Sequence, residues 1–273
     1  MNEDKVPLHP EQKIKNYPLY LWRVFWKSLL LVFFGAGTLF FSLICLPLFR
    51  LIIHPKSKFQ YYARYFLHLG TKFFCFLLRV AGLFRLKIDK KKYMQNLRSA
   101  IVVANHPAYL DSPLMIAILK HTTLVAKSSL SRKNILTILI NTLFMPNSLP
   151  KEEMFARAKE DLENGNTVVI FPEGTRSTLY GQNPYKKGAA RLSLETGCPV
   201  IPVYIGGNNK RGLRKGDKFY QHNATTSWHF DLYVKDPVYP EEFKDLPAPI
   251  AAKRMTQKIR DILSDEANAQ YRY

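Results

Sequence analysis

Apolar and polar positions along the chain fall into three textures. From Ser28 to Phe49 no residue carries a charge (SLLLVFFGAGTLFFSLICLPLF), and as a helix this run extends roughly 33 Å, about the thickness of a hydrocarbon core. It is too long for a signal-peptide core, and Arg50-Leu51-Ile52-Ile53-His54-Pro55 behind it offers no cleavage site. Lys13, Lys15, Arg23 and Lys27 precede it and Arg50, Lys56, Lys58 and Arg64 follow, so flanking charge sets no direction. Gly35, Gly37 and Pro47 are bend points, which leaves two topologies: one tilted span, or a dipping hairpin with both ends on the cytoplasmic side. Phe59 to Phe84 is aromatic-rich and carries Arg64, His68, Lys72 and Arg79 along one helical face. That pattern predicts an interfacial helix with its cations toward anionic headgroups, and an amphipathic helix covering a core shares it.

Beyond Lys90-Lys91-Lys92 short β-branched runs alternate with helical ones. Strands are predicted at Ala100–Val103, Leu124–Ala126, Thr167–Phe171, Val200–Ile205 and Trp228–Val234, and helices at Pro113–Leu119, Ile135–Leu143, Lys151–Asn164, Ala189–Thr196 and Ile250–Glu266. This alternation predicts an α/β fold, a largely parallel central sheet flanked by helices, preceded by an N-terminal membrane-associated helical segment. The domain division is residues 1–84 for the anchoring helices and 85–273 for the sheet domain. Gly165 and Gly197 suit left-handed helix ends, and Ser112-Pro113 suits an N-cap with Pro at the first helical position. The stretch Gly206–Thr226, with Lys210, Arg211, Arg214, Lys215 and Lys218, reads as a basic loop, solvated or at a membrane surface.

Composition narrows the function classes. The 273 residues carry 40 Lys and Arg against 21 Asp and Glu, a formal charge of +19, which favours an anionic partner. An apolar content of 47% excludes a disordered polybasic tail. Cys45, Cys75 and Cys198 are far apart and odd in number, so neither a disulfide scaffold nor a metal module is expected.

In open α/β sheets ligands collect beyond the carboxyl ends of strands. Two such places are unusual here: Asn105-His106-Pro107-Ala108-Tyr109-Leu110-Asp111 after one predicted strand, and Phe171-Pro172-Glu173-Gly174-Thr175-Arg176-Ser177 after another. Through a turn, Asp111 can fix one imidazole nitrogen of His106 and leave the other as a general base; a helix cap beside an ordinary loop histidine is the simpler alternative. Glu173-Gly174-Thr175-Arg176 combines a permissive backbone, a hydroxyl and a guanidinium fork, the parts of an anion cradle, against which stands a tight turn with Glu173 paired to Arg176. Lys127 follows the Leu124–Ala126 strand at the same edge. No Gly-x-Ser-x-Gly elbow and no cysteine at a site element is present, so direct deprotonation of an acceptor is the chemistry left.

These two blocks resemble the first and third signature blocks of the glycerolipid acyltransferases, and the likeness is strongest to the bacterial 1-acyl-glycerol-3-phosphate acyltransferases. Val125-Ala126-Lys127-Ser128-Ser129-Leu130, Lys187-Gly188 and Val200-Ile201-Pro202-Val203 support it, over roughly residues 85–210. The resemblance implies His106 as the base, Asp111 as the group orienting it, and Glu173, Gly174, Thr175, Arg176 and Lys127 as binding the acceptor. It implies transfer of a fatty acyl group from acyl carrier protein or coenzyme A, as co-substrate without a resident cofactor or metal, to a lysophospholipid hydroxyl. The place implied is a bacterial cytoplasmic membrane, with the site facing the cytoplasm. One departure concerns the second block: where the family commonly has an Arg, Phe144-Met145-Pro146-Asn147 has none, and Lys151 is the nearest cation. Another lysolipid acceptor, a membrane-tethered nucleic-acid binder and a non-catalytic adaptor are the competing readings, although no nucleic-acid recognition pattern is present.

Overall fold

The computed structural model describes residues 13–126, 137–146, 149–177 and 183–271. A single helical rod, Tyr17–Ile52, opens the chain. It consists of α1 (Tyr17–Phe40), a π-turn (Phe41–Cys45) and α2 (Leu46–Ile52). Asn16 starts the rod by accepting the Leu19 N–H at 3.0 Å. The widened turn lies just before Pro47, where the proline can neither donate an N–H nor tolerate a tight preceding turn. Within the rod the hydroxyls of Ser28 and Thr38 bond back to the carbonyls of Val24 and Phe34, so even its polar side chains present little to an apolar medium.

Gly35 and Gly37 stay helical, so the run Ser28–Phe49 contains no reversal. The chain turns back only after Ile52, into α3 (Lys56–Val80). The two rods lie antiparallel: Phe49 packs on Phe66 at 4.9 Å, Phe34 stacks on Phe74 at 4.3 Å, and the Trp22 indole donates to Ala81 O.

The face of α3 is the reverse of the one predicted. Arg64 and His68 are buried in the protein, while Tyr61, Tyr62, Tyr65, Phe66, Leu69, Phe73, Phe76 and Val80 are exposed. Arg64 forms a fork with Asp161, Nη1–Oδ1 2.5 Å and Nη2–Oδ2 3.0 Å, and its Nε donates to Leu143 O. His68 Nδ1 lies 2.8 Å from Ile116 O. Leu143 and Ile116 are in the last turns of α6 (Thr137–Leu143) and α5 (Asp111–Ile118), where helix carbonyls lack intrahelical partners. Arg64 and His68 are therefore drawn inward to an acid and to orphan carbonyls, and the aromatic rings are left outside. Lys72 and Arg79 remain exposed.

The sheet has the order β1-β7-β6-β2-β5-β3-β4. Its strands are β1 (Phe84–Ile88), β2 (Ala100–Ala104), β3 (Thr122–Ala126), β4 (Met145–Pro146), β5 (Thr167–Ile170), β6 (Val200–Gly206) and β7 (Trp228–Val234). β6, β2, β5, β3 and β4 are mutually parallel, and only the β6–β7 contact is antiparallel. β2 is buried on both faces, with Val102 and Ala104 in the core beneath α3 and α5, and Ile101 and Val103 in the core beneath α8 (Gly188–Thr196) and α9 (Ala248–Tyr271). β1 is an edge strand that the sequence reading missed. Gly82, at φ +71°, ends α3, and the exposed Arg85 and Lys87 mask the strand's apolar positions. Gly165 and Gly197 do adopt left-handed conformations. Asp111, not Ser112, begins α5, because its carboxylate already accepts the Ala108 N–H at 2.6 Å.

The basic stretch 206–226 is folded onto the body and is not a solvated run. Lys210 is buried, and Asp217 binds the Arg214 guanidinium at 2.9 and 2.8 Å and the Gly212 N–H at 2.7 Å. The buried Lys27 ammonium of α1 donates to the carbonyls of Phe219 and Gln221. Gly212 is obligatory, with φ +88° and the Gln221 carbonyl oxygen 1.9 Å from where a Cβ would stand.

Two consequences for stability can be measured. Asp161→Ala leaves the Arg64 guanidinium buried without its acid, and urea unfolding is expected to show a loss of about 3–5 kcal/mol. Burial, reinforced by neighbouring cations, pushes both His121, stacked on Tyr61, and His222, against Trp228, down to about 4. The unfolded chain takes up these protons near 6.5 and the folded chain only near 4. Their contribution is thus fully present above pH 6.5 and is lost as pH falls toward 4; thermal unfolding midpoints across that window should fall, and less steeply in His121→Gln.

Candidate active site

β2 and β5 are neighbours, so the segments leaving their carboxyl ends emerge side by side. The first places His106 and Asp111 together: Nδ1 to Oδ2 is 2.7 Å. A carboxylate only accepts, so Nδ1 carries the hydrogen and Nε2 is the ring nitrogen left open to a substrate. Asp111 is fully buried, while the imidazole, stacked on Phe171 at 4.3 Å, retains partial exposure. Asn105, one residue earlier, clamps β6 in both directions, accepting the Ile205 N–H at 2.6 Å and donating to Ile205 O at 3.1 Å. The pair is therefore built on strand ends and a helix start, which hold it rigidly.

The second segment meets the first directly. Ser177 N donates to His106 O at 2.8 Å, and the His106 N–H is directed at Glu173 Oε1 at 3.2 Å. Glu173 is not paired with Arg176. Its Oε1 also accepts from Ser177 Oγ at 2.6 Å, and its Oε2 accepts the Asn183 N–H and Nδ2 at 3.0 and 2.9 Å. With both oxygens occupied and the side chain buried, this carboxylate ties three segments together and presents nothing to a ligand.

Arg176 is free to do so. Its guanidinium lies 3.4 Å over the ring of Tyr109, and Nη1 is buried with no hydrogen-bond partner among the described residues. Tyr109 belongs to the His106–Asp111 segment, so the orphan cation stands over the same turn as the imidazole. Thr175 is half-buried next to it. Gly174, at φ +66°, makes room for a further cation that sequence reading passed over: Lys186 Nζ lies 2.8 Å from where a Gly174 Cβ would be, and the Lys186 N–H donates to Pro172 O. Lys127 lies outside the described residues, as does Asn147; Lys151 opens α7 (Lys151–Glu163) as an exposed side chain. Among the described residues no cluster of His, Cys, Asp or Glu could hold a metal ion. Lys186 is the site residue that the sequence reading did not single out; Asn105 and Tyr109 lay inside the first block without a role assigned to either.

Residues 85–206, which contain every group of this cluster, match the acyltransferase family model. Curated relatives bear the same name. A chloroplastic 1-acyl-sn-glycerol-3-phosphate acyltransferase of Arabidopsis thaliana is 27% identical over 59% of this chain and 47% of its own length. An uncharacterised acyltransferase of Schizosaccharomyces pombe is 32% identical over 45% and 47%, and the 1-acyl-sn-glycerol-3-phosphate acyltransferase of Salmonella typhimurium is 29% identical over 50% and 60%. The chain thus spans about half the length of these relatives. The crystal structure of a 1-acyl-sn-glycerophosphate acyltransferase from Thermotoga maritima superposes with a TM-score of 0.58 at 23% identity, over 91% of this chain and 96% of that one, a likeness of fold.

Within the matched residues the role of Glu173 as a tie can be separated from that of Arg176. Glu173→Ala leaves buried donors of three segments unmatched and is expected to lower unfolding stability by about 1–3 kcal/mol in urea. Arg176→Ala, whose Nη1 has no hydrogen-bond partner among the described residues, should cost less, about 0.5–1 kcal/mol for the lost contact with the Tyr109 ring.

Proposed function

We propose that this protein transfers a fatty acyl group from the thioester of acyl carrier protein or coenzyme A to the free hydroxyl of a lysophospholipid, with 1-acyl-glycerol-3-phosphate as the acceptor and phosphatidic acid as the product. The observation that carries this reading is the convergence of a carboxylate-oriented imidazole and an unpartnered, ring-stacked guanidinium on one turn. Nε2 of His106 takes the proton of the acceptor hydroxyl as its oxygen attacks the thioester carbonyl. Collapse of the tetrahedral adduct forms the ester C–O bond and breaks the C–S bond, and the imidazolium returns the proton to the departing thiolate.

Arg176 grips the acceptor phosphate as a fork, supported by Lys186 across Gly174 and by Lys127 and Thr175. Glu173 and Gly174 contribute by shaping the loop. Lys186 supplies the second cation that Phe144-Met145-Pro146-Asn147 lacks, which favours a doubly charged phosphate monoester. A different lysolipid acceptor is the second reading, and the missing Arg of that block is what favours it.

Residues 1–84 form the anchor and 85–273 the catalytic unit, at a bacterial cytoplasmic membrane with the site facing the cytoplasm. The apolar rod Tyr17–Ile52 and the exposed rings of α3 support the anchoring.

The test is purified protein given labelled acyl-carrier-protein and coenzyme A donors with a panel of lysolipids. Lysophosphatidate should be acylated, His106→Ala should lower turnover about 10²–10⁴-fold, and Lys186→Met together with Arg176→Ala should raise KM for lysophosphatidate while leaving folding intact. Preference for a lysolipid without a phosphate monoester supports the second reading, and unchanged turnover of His106→Ala removes the proposed base.

A further inference from the structure

Beside the strand to which Asn105 is bonded lies a cation that neither the motif blocks nor the anion cradle use. Lys210 follows β6 and is 5% exposed. Its Nζ donates to Gly206 O at 2.8 Å and Asn208 O at 3.2 Å, and lies 4.8 Å from the centre of the Phe230 ring. Two carbonyls and a ring face are partial charges only, and an ammonium withdrawn from water needs a full counter-charge. The carboxylates within electrostatic reach are Asp111, at the start of α5, and Asp231, on β7. Asp231 is half-buried, whereas Asp111 is wholly buried. Asp111 Oδ2 takes the imidazole and the Ala108 N–H, and Oδ1 has no hydrogen-bond partner among the described residues. The backbone joins the two sites: Asn105, next to His106, is bonded both ways to Ile205, next to the Gly206 on which Lys210 rests.

We infer that Lys210 is a positioning residue for the base, its buried ammonium balancing Asp111 so that the His106 imidazole rests neutral with Nε2 able to accept a proton. The inference rests on the reading of His106 as that base. A buried carboxylate beside an imidazole, left to itself, draws a proton onto the ring, and an imidazolium has no lone pair with which to take one from a hydroxyl. With the buried ammonium within electrostatic reach of the carboxylate the pair is already neutral, and a proton on the ring would bring a net charge into the protein. Burial pushes Lys210 down to about 8, against the pull of Asp111 and Asp231, so it is mainly charged at neutral pH. Other charged groups near His106 are Glu173, which meets its backbone N–H, Arg176 over Tyr109, and Lys186 at Gly174. Substitutions at 210 leave all of these in place.

The measurement is the titration of the His106 ring in full-length protein labelled with ¹³C at histidine, solubilised in detergent, with the His106→Gln spectrum as assignment. Lys210→Gln keeps a donor for the two carbonyls and removes the charge; Lys210→Arg keeps the charge. The glutamine variant should take up its ring proton on the order of one pH unit higher than the unaltered protein, and the arginine variant close to the original pH. The acid limb of kcat/KM should move up by the same amount in the glutamine variant, about tenfold lower rate at a pH below the original limb. Lys210→Met, whose thioether fits against Phe230, is the second charge-free variant should the amide not fold. A ring titration unchanged in a folded charge-free variant overturns the inference and leaves Lys210 a strut for β6. A shifted titration in a protein that acylates no lysolipid upholds the charge balance and overturns the proposed reaction, so the two failures are distinct.

Discussion

Buried charge must be met by protein groups, and that requirement organises this molecule more than any other. Glu173 is its centre. Four donors from three segments converge on one carboxylate, so the turn after β2, the turn after β5 and the chain at Asn183 cannot move apart without exposing or orphaning several of them at once. The imidazole and the guanidinium owe their common position to this tie, while neither of them touches it with a side chain. Arg64 and Asp161 do the same for the scaffold, fixing α3 to α7.

That second pairing also decides what the outer surface is. Once Arg64 and His68 are committed inward, the helical period sends Tyr61, Tyr62, Tyr65, Phe66, Phe73 and Phe76 outward, next to a rod whose own Leu, Ile and Phe side chains are uncovered. A contiguous apolar surface of this extent has no place in water and is suited to a bilayer. The same inward turn satisfies the carbonyls at the ends of α5 and α6, so one set of interactions serves the core and exposes the apolar face.

How much was legible in the sequence follows the range of the interactions involved. The parallel strands β2, β3, β5 and β6, their helices and the left-handed Gly165 and Gly197 are local, written in β-branched runs, 3.6-residue periods and glycine, and they were readable, whereas the two-residue β4 was not. His106 and Asp111 are five residues apart, so their pairing needs only a turn. The orientation of α3 was not readable, because the acid that captures Arg64 is 97 positions away and periodicity alone leaves the buried side of an amphipathic helix open. β1 was hidden by its own exposed Arg85 and Lys87. Glu173 was recognised as a site residue, but its saturation by Ser177 and Asn183 depends on how two turns fold against each other. The basic stretch misled for the same reason: Lys210 and Lys27 are buried because carbonyls from distant turns surround them.

The stretch 206–226 links the two halves of the molecule. At one end it lays the carbonyls of Phe219 and Gln221 on the Lys27 ammonium of α1; at the other the Leu213 carbonyl receives the Tyr109 N–H, and the Tyr109 ring is the platform on which the Arg176 guanidinium rests. Whatever surface seats the apolar rod, the guanidinium is held at a set height and tilt above it. The separation between the apolar rod and the cation over Tyr109 is thereby written into the fold itself.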